Sequence, residues 1–188
     1  MPPSQPQLRL VHDAARSVSD GDSDTAVPTL DGLYRRYASH VASIGFRLLG
    51  RDAEVDDLVQ DVFIEAMRGI SRVRDPDAMK GWLSIVTVRM ARKRLRMRRV
   101  RGFFGLDDAN GYDEVADAGA SPEARTFLRQ VYSALDRVPI EARIAWTLRV
   151  LEENELDEVA RLCGCSLATV KRRVADAQAR IEREVDDE

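Results

Sequence analysis

The chain has 188 residues, which fits one domain or two small ones, and its composition is that of a soluble globular protein. No apolar stretch reaches the ~20 residues that a membrane-spanning helix needs, and the N-terminus lacks the apolar core of a secretion signal, so we expect a cytoplasmic protein. The net charge of −3 hides strong segregation. Residues 29–101 hold sixteen basic and nine acidic side chains, whereas residues 102–124 hold six acids and no base.

The N-terminal part predicts a tail followed by a helical domain. Residues 1–28 are rich in Pro, Ser and Asp and lack periodicity, which predicts a disordered tail. Residues 29–101 show apolar residues every three or four positions, which predicts three helices. The first ends at Gly50, and the third begins at Asp75-Pro76, a helix cap followed by a proline suited to the first helical position.

The third predicted helix ends in a strongly basic run. Residues 89–101 contain eight Lys or Arg among thirteen positions and no acid. A run of this kind is commonly just a solvated helix face. A second basic segment near the C-terminus favours nucleic acid as the partner instead.

A change of composition marks the boundary between two domains. Residues 102–121 contain four glycines, five acids and no apolar stripe, which predicts a flexible acidic linker. Residues 122–188 return to helical periodicity and predict a second domain. Because no segment alternates as a strand does, the predicted fold class is all-α, with two small helical domains.

Within the second domain, residues 155–181 have the layout of a helix-turn-helix. Gly164 permits the left-handed backbone of a tight turn, and Ser166 caps the following helix. The basic residues Lys171 and Arg172 fall near the start of that helix, where recognition helices meet base edges. The alternative is an ordinary helical hairpin with an exposed basic turn.

Three segments in this order resemble a sigma-70 family factor of the extracytoplasmic-function (ECF) group. Residues 33–67, which include DLVQDVF, resemble the start of sigma region 2, and residues 81–99 resemble its promoter-facing part. Residues 135–174 resemble region 4. The resemblance implies a region 2-like bundle and a region 4-like helix-turn-helix domain. It also implies a non-catalytic factor without cofactor or metal, which binds core RNA polymerase and directs initiation at promoters with −10 and −35 elements.

The resemblance also implies partners and site residues. Core polymerase would be bound through its β′ coiled coil and β subunit, and promoter DNA by both domains; many relatives are also held by an anti-sigma factor. The polymerase-binding candidates are Asp57, Gln60 and Asp61. Candidates for the −10 side are Arg89, Arg92, Lys93, Arg96 and Arg98. Candidates for the −35 side are Ser166, Thr169, Lys171, Arg172 and Arg173.

The sequence departs from the family pattern at several positions. Thr87, Val88 and Arg92 stand where many members have Arg, Asn and Asp, so the −10 base preference cannot be carried over. Asp176 and Gln178 stand where arginine is frequent, which weakens phosphate attraction there.

Two other functions compete with this hypothesis. A stand-alone helix-turn-helix regulator that binds operator DNA would explain the C-terminal segment but not the first three helices. An enzyme is poorly supported, because the sequence contains no phosphate loop, nucleophile elbow or metal-spaced ligand set. Cys163 and Cys165 predict a small buried residue and a turn residue rather than a metal or redox site.

Overall fold

The computed structural model describes residues 30–69, 78–104, 112 and 121–186, and within these ranges it is all-α, which confirms the predicted fold class. The helices of the N-terminal half are α1 (Leu30–Leu49), α2 (Val55–Gly69) and α3 (Ala78–Phe103), with a 3-10 turn (Asp52–Glu54) before α2. Those of the C-terminal half are α4 (Pro122–Arg137), α5 (Ile140–Trp146), α6 (Leu156–Cys163) and α7 (Leu167–Asp186). A π-helical turn (Thr147–Leu151) continues α5. None of the helices in these ranges is long and apolar enough to cross a membrane.

Some sequence predictions fall outside the described residues. The predicted tail 1–28, the predicted cap at Asp75-Pro76 and most of the linker 102–121 are among them. Tyr112 is the exception within the central stretch of the linker, and it is buried.

Local signals in the sequence account for the helix boundaries of the C-terminal half. Ser121 caps α4 by accepting a hydrogen bond from the backbone N–H of Ala124 at 3.2 Å. Gly164 ends α6 with φ of 66°, and Ser166 accepts from the N–H of Thr169 at 3.3 Å at the start of α7. The turn glycine and the cap predicted for the helix-turn-helix are therefore confirmed.

The three N-terminal helices pack around an apolar core. Leu48 of α1, Leu58 and Val62 of α2, and Leu83 of α3 are fully buried there. Each side chain belongs to the apolar stripe of its own helix, so the helical periodicity of the sequence directly produces the three-helix packing.

This core continues into the C-terminal half. Ile144 of α5, Leu148 of the π-helical turn, and Val159 and Leu162 of α6 are buried in the same cluster as the N-terminal side chains. A second cluster, which includes Trp146 and Tyr112, lies under α4 and α7. Halves of this size bury little apolar surface on their own, and packing them together enlarges the shared core.

Polar contacts at the end of α1 also join the halves. The last carbonyls of a helix have no partner within the helix and attract cations and donors. Here Arg143 donates to the carbonyl oxygens of Leu48 at 3.1 Å and Leu49 at 3.3 Å. The hydroxyl of Tyr132 donates to the carbonyl oxygen of Arg47 at 2.9 Å. The C-terminal half therefore supplies the partners that the end of α1 needs.

Candidate nucleic-acid and polymerase interfaces

The basic run of α3 places three of its predicted DNA-binding side chains on the surface. Arg89, Lys93 and Arg96 are exposed. Arg89 forms an ion pair with Glu65 of α2 at 2.8 Å. An exposed ion pair is weak and is screened by salt, so phosphate can compete for this arginine.

Arg98 differs from the other candidates on the −10 side, because it is buried. Its guanidinium donates to the carbonyl oxygen of Leu49 at 2.9 Å and to Glu54 at 2.9 Å. A side chain that is only 4% exposed and bonded within the protein through both terminal nitrogens cannot reach a phosphate, so the assignment of Arg98 to the −10 side is wrong. The spacing in the sequence indicates this burial. Leu95 follows Ala91 by four positions and Arg98 follows Leu95 by three, so the three residues share one face of the helix, and the first two are buried.

Glu141 of α5 links the two sets of predicted DNA-binding arginines. One carboxylate oxygen lies 2.9 Å from Arg96, and the other lies 3.2 Å from Arg92 and 3.8 Å from Arg173. Arg92 also donates to the backbone carbonyl of Cys163 at 3.3 Å. One acid of the C-terminal half thus forms ion pairs with cations of both α3 and α7.

The start of α7 presents the predicted recognition residues. Ser166, Lys171 and Arg172 are exposed, and Thr169 is half-buried with its hydroxyl 2.9 Å from that of Ser166. Arg173 is less accessible, because it contacts both Glu141 and the Sγ of Cys165. The start of α7 therefore leaves Ser166, Lys171 and Arg172 accessible, whereas Arg173 faces α5.

The predicted polymerase-binding residues share the outer face of α2. Asp57, Gln60 and Asp61 are all exposed, and Ile64 and Met67 extend the same face with exposed apolar side chains. An acidic and amide face beside apolar side chains suits a basic, partly apolar helical partner.

Asp61 is also paired within the chain. Arg94 of α3 donates to its carboxylate. A partner that binds Asp61 therefore has to share it with Arg94 or displace that arginine.

The positions that depart from the family pattern have local roles. Thr87 is fully buried and donates to the carbonyl oxygen of Leu83 at 2.8 Å, and Val88 is fully buried too. Gln178 accepts a hydrogen bond from the indole of Trp146 at 2.5 Å. Asp176 is exposed. Thr87 and Val88 therefore serve packing in this structure, and they present no side chain to DNA.

The buried cysteine of the pair, Cys163, is not an activated thiol. Burial, and then the neighbouring Cys165, raise the pKa of Cys163 to about 11. A thiol with a raised pKa stays protonated and unreactive at neutral pH. The prediction that Cys163 is a small buried residue is confirmed.

The comparisons with known proteins place both halves in one family. Residues 33–101 match the family model for sigma-70 region 2, and residues 128–181 match the model for sigma-70 region 4. The ECF RNA polymerase sigma factor SigE of Mycolicibacterium smegmatis is 30% identical over 178 residues, which cover 92% of this chain and 65% of that protein. SigM of Mycobacterium tuberculosis (strain Erdman) is 32% identical over 154 residues, 81% of this chain and 75% of that protein. The sigma-E factor of Escherichia coli K12 is 30% identical over 162 residues, 81% of this chain and 84% of that protein.

Two solved structures share the fold. The sigma factor RpoE of Bartonella quintana, solved with the anti-sigma factor NepR, aligns with a TM-score of 0.62 at 21% identity, covering 83% of this chain and 96% of that chain. CnrH, solved with the cytosolic domain of CnrY, aligns with a TM-score of 0.58 at 21% identity, covering 97% of this chain and 98% of that chain.

Proposed function

The chain belongs to the sigma-70 family, in its ECF group, and we propose that it binds core polymerase through α2 and reads the two promoter elements with α3 and α7. It is a promoter-directing factor of RNA polymerase and has no enzymatic activity of its own. The observation that carries the proposal is the match to regions 2 and 4 in family order, with both basic segments on helices that have exposed faces.

The polymerase contact is assigned to Asp57, Gln60 and Asp61. Their exposure on one face of α2 leaves them accessible to the β′ coiled coil, and the β subunit would contact other surfaces of the factor. Carboxylates steer a basic partner during encounter, and the apolar side chains beside them add buried area once the complex forms.

The −10 element is assigned to the exposed side of α3. Arg89, Arg92, Lys93 and Arg96 would contact phosphates, which position the duplex without reading its sequence. Arg98 is left out of this set, because it stabilises the end of α1.

The −35 element is assigned to the start of α7. Ser166, Thr169 and Lys171 would lie in the major groove, with Arg172 and Arg173 beside them. Lys and Arg donate to guanine O6 and N7, and Ser and Thr hydroxyls pair with several base edges. Which bases are read depends on all of the contacts that α7 makes with a given promoter.

The factor would work in the cytoplasm, where core polymerase is found. Two structures of the same fold were solved with an anti-sigma factor or with a cytosolic partner domain. We infer that a protein of the anti-sigma kind also binds this chain, and that it covers the acidic face of α2 or the basic start of α7.

Transcription with purified core polymerase on a fragmented genomic library tests the proposal. Mapped start sites should share two upstream elements when the factor is present and should be absent with core polymerase alone. Tight sequence-specific duplex binding without polymerase, together with no promoter-specific initiation, would instead favour a stand-alone regulator. That alternative leaves the region 2 match over residues 33–101 unexplained.

A further inference from the structure

We propose that a cavity between α3, α4 and α5 binds a single hydrogen phosphate ion. The cavity has a volume of about 170 Å³ and is lined by three arginines, Arg98 and Arg99 of α3 and Arg143 of α5, with Asp136 of α4 beside them. This inference goes beyond the promoter-reading function proposed above, because none of these four residues belongs to the surfaces assigned there to polymerase or to DNA.

The first argument is the charge of the cavity wall. Three guanidinium groups and one carboxylate leave the lining with a formal charge of +2. Glu54 pairs with Arg98 at 2.9 Å from outside the lining, and the cluster still carries +1 when Glu54 is included. Arg98 and Arg143 are only 4% and 2% exposed, so solvent and salt screen their charges little. The wall therefore attracts an anion.

The second argument is the set of hydrogen-bond donors that the arginines leave unused. The Nε atoms of Arg98 and Arg143 are buried and have no hydrogen-bond partner within the described part of the chain. Arg99 is exposed and donates through Nη2, to the backbone carbonyl oxygens of Asp136 at 3.3 Å and Val138 at 2.7 Å. A buried donor without a partner costs free energy, and guanidinium groups bind phosphate oxygens by charge-assisted hydrogen bonds. Small rotations of these side chains would give an ion in the cavity its donors.

The third argument is the size of the cavity. Sites for organic ligands have volumes of roughly 300 to 1,000 Å³, and this cavity is smaller. A water molecule takes up about 30 Å³ in the liquid, so the cavity offers the space of roughly five or six waters. A tetrahedral ion of five heavy atoms fits this space, whereas a nucleoside does not.

Asp136 distinguishes between anions of this size. Its carboxylate accepts hydrogen bonds from Arg143 and, at 2.5 Å, from the hydroxyl of Tyr112, and a carboxylate has further lone pairs for another donor. Inorganic phosphate at neutral pH keeps a P–OH group that can donate to this carboxylate. Sulfate has no such proton, and a phosphate monoester is largely the dianion because its second pKa is about 6. We therefore expect the cavity to prefer inorganic phosphate to both.

The test measures thermal unfolding of the full chain near neutral pH, with the ionic strength held constant by NaCl. Inorganic phosphate, sulfate and glycerol 3-phosphate are added separately, each up to about 10 mM. A ligand that binds the folded protein and not the unfolded chain raises Tm as its concentration exceeds Kd. Phosphate should raise Tm by about 3 °C, and each of the other two anions by less than about 1 °C.

Arg99→Gln separates this cavity from a general effect of anions on the protein. Because Arg99 is exposed, its replacement should leave the fold intact, and it should weaken phosphate binding roughly ten-fold in a calorimetric titration. Arg101→Gln is the matched control. It removes the same charge two positions further along α3, from an exposed side chain outside the cavity lining, and should bind phosphate as the wild type does.

Gly102→Glu is a second variant, because Gly102 lines the cavity and a Cβ atom added there would meet open space. The new carboxylate should repel phosphate, so Gly102→Glu should bind it at least about ten-fold more weakly than Gly102→Gln, which has the same size without the charge. Equal rises in Tm with phosphate and either of the other anions would overturn the proposal. Phosphate affinity equal to that of the wild type in both Arg99→Gln and Gly102→Glu would overturn it too.

Discussion

Arg143 donates to the carboxylate of Asp136 from a guanidinium that is buried between the two halves of the protein. Burial lowers the pKa of Arg143, but Tyr112 and Asp136 outweigh it and raise the pKa overall. Arg143 therefore remains charged between the two halves, where it also donates to the carbonyl oxygens at the end of α1.

Replacing this arginine should destabilise the protein strongly. Arg143→Met fills a similar volume but removes the hydrogen bonds that Arg143 donates to Asp136 and to the carbonyl oxygens of Leu48 and Leu49. Asp136 keeps its bond from Tyr112 and Leu49 keeps its bond from Arg98, whereas the buried charge of the guanidinium is lost. We expect a loss of about 3 kcal/mol in the free energy of unfolding, measured by urea denaturation. Arg137→Met is the control, since Arg137 is exposed and forms an ion pair with Glu184 on the surface, and it should cost less than about 0.5 kcal/mol. Similar losses for the two variants would contradict the role of Arg143.

The start of α7 should supply phosphate and base contacts. Lys171→Ala and Arg172→Ala each remove one exposed cation, so each should reduce the slope of log K against log salt by about 1 and weaken promoter binding by the holoenzyme. Arg180→Ala, an exposed cation further along the same helix, is the control. The assignment of α7 fails if all three variants behave alike.

The periodicity and caps of the sequence predicted the helices well, because these signals are local. Gly164 and Ser166 lie within two residues of each other, and both do in the structure what their residue types favour. The burial of Arg98 was also readable from its register with Leu95. The partnership of Arg96 with Glu141 was not, since 45 positions separate them and only the packing of the halves brings them together. The burial of Tyr112 inside an otherwise polar linker has the same long-range origin.

The acidic face of α2 should control affinity for polymerase. Asp57→Lys and Asp61→Lys reverse exposed charges that would face a basic partner, and each should weaken core binding by roughly ten-fold or more in a pull-down or anisotropy titration. Asp31→Lys makes the same change on α1, where Asp31 is 72% exposed and paired with Arg35. If both α2 variants bind core polymerase with the affinity of the wild type, the assignment of this interface is wrong.

Stability should fall in mild acid because of His40. Burial, and then Lys80, lower the pKa of His40 from 6.5 to about 4. Between these values the unfolded chain binds a proton that the folded protein does not, so stability decreases as the pH falls through this window. Because part of the ring is open to solvent, we expect a loss on the order of 1 to 2 kcal/mol between pH 7 and pH 4.5.

The control for this prediction is His40→Gln, which has no titrating ring and can still bond the hydroxyl of Ser84, 2.9 Å from His40 Nε2 in the wild type. Its stability should be flatter over the same pH range. An equally steep profile for the variant would assign the acid sensitivity to other groups.

The central claim is that one chain touches both promoter elements at once, α3 on one and α7 on the other. The most direct measurement inserts about five base pairs between the two elements of a mapped promoter, which rotates one element by half a helical turn relative to the other. We predict that initiation by the reconstituted holoenzyme falls by at least about ten-fold, because a single bound factor cannot reach both faces. Undiminished initiation from the lengthened promoter would contradict the account.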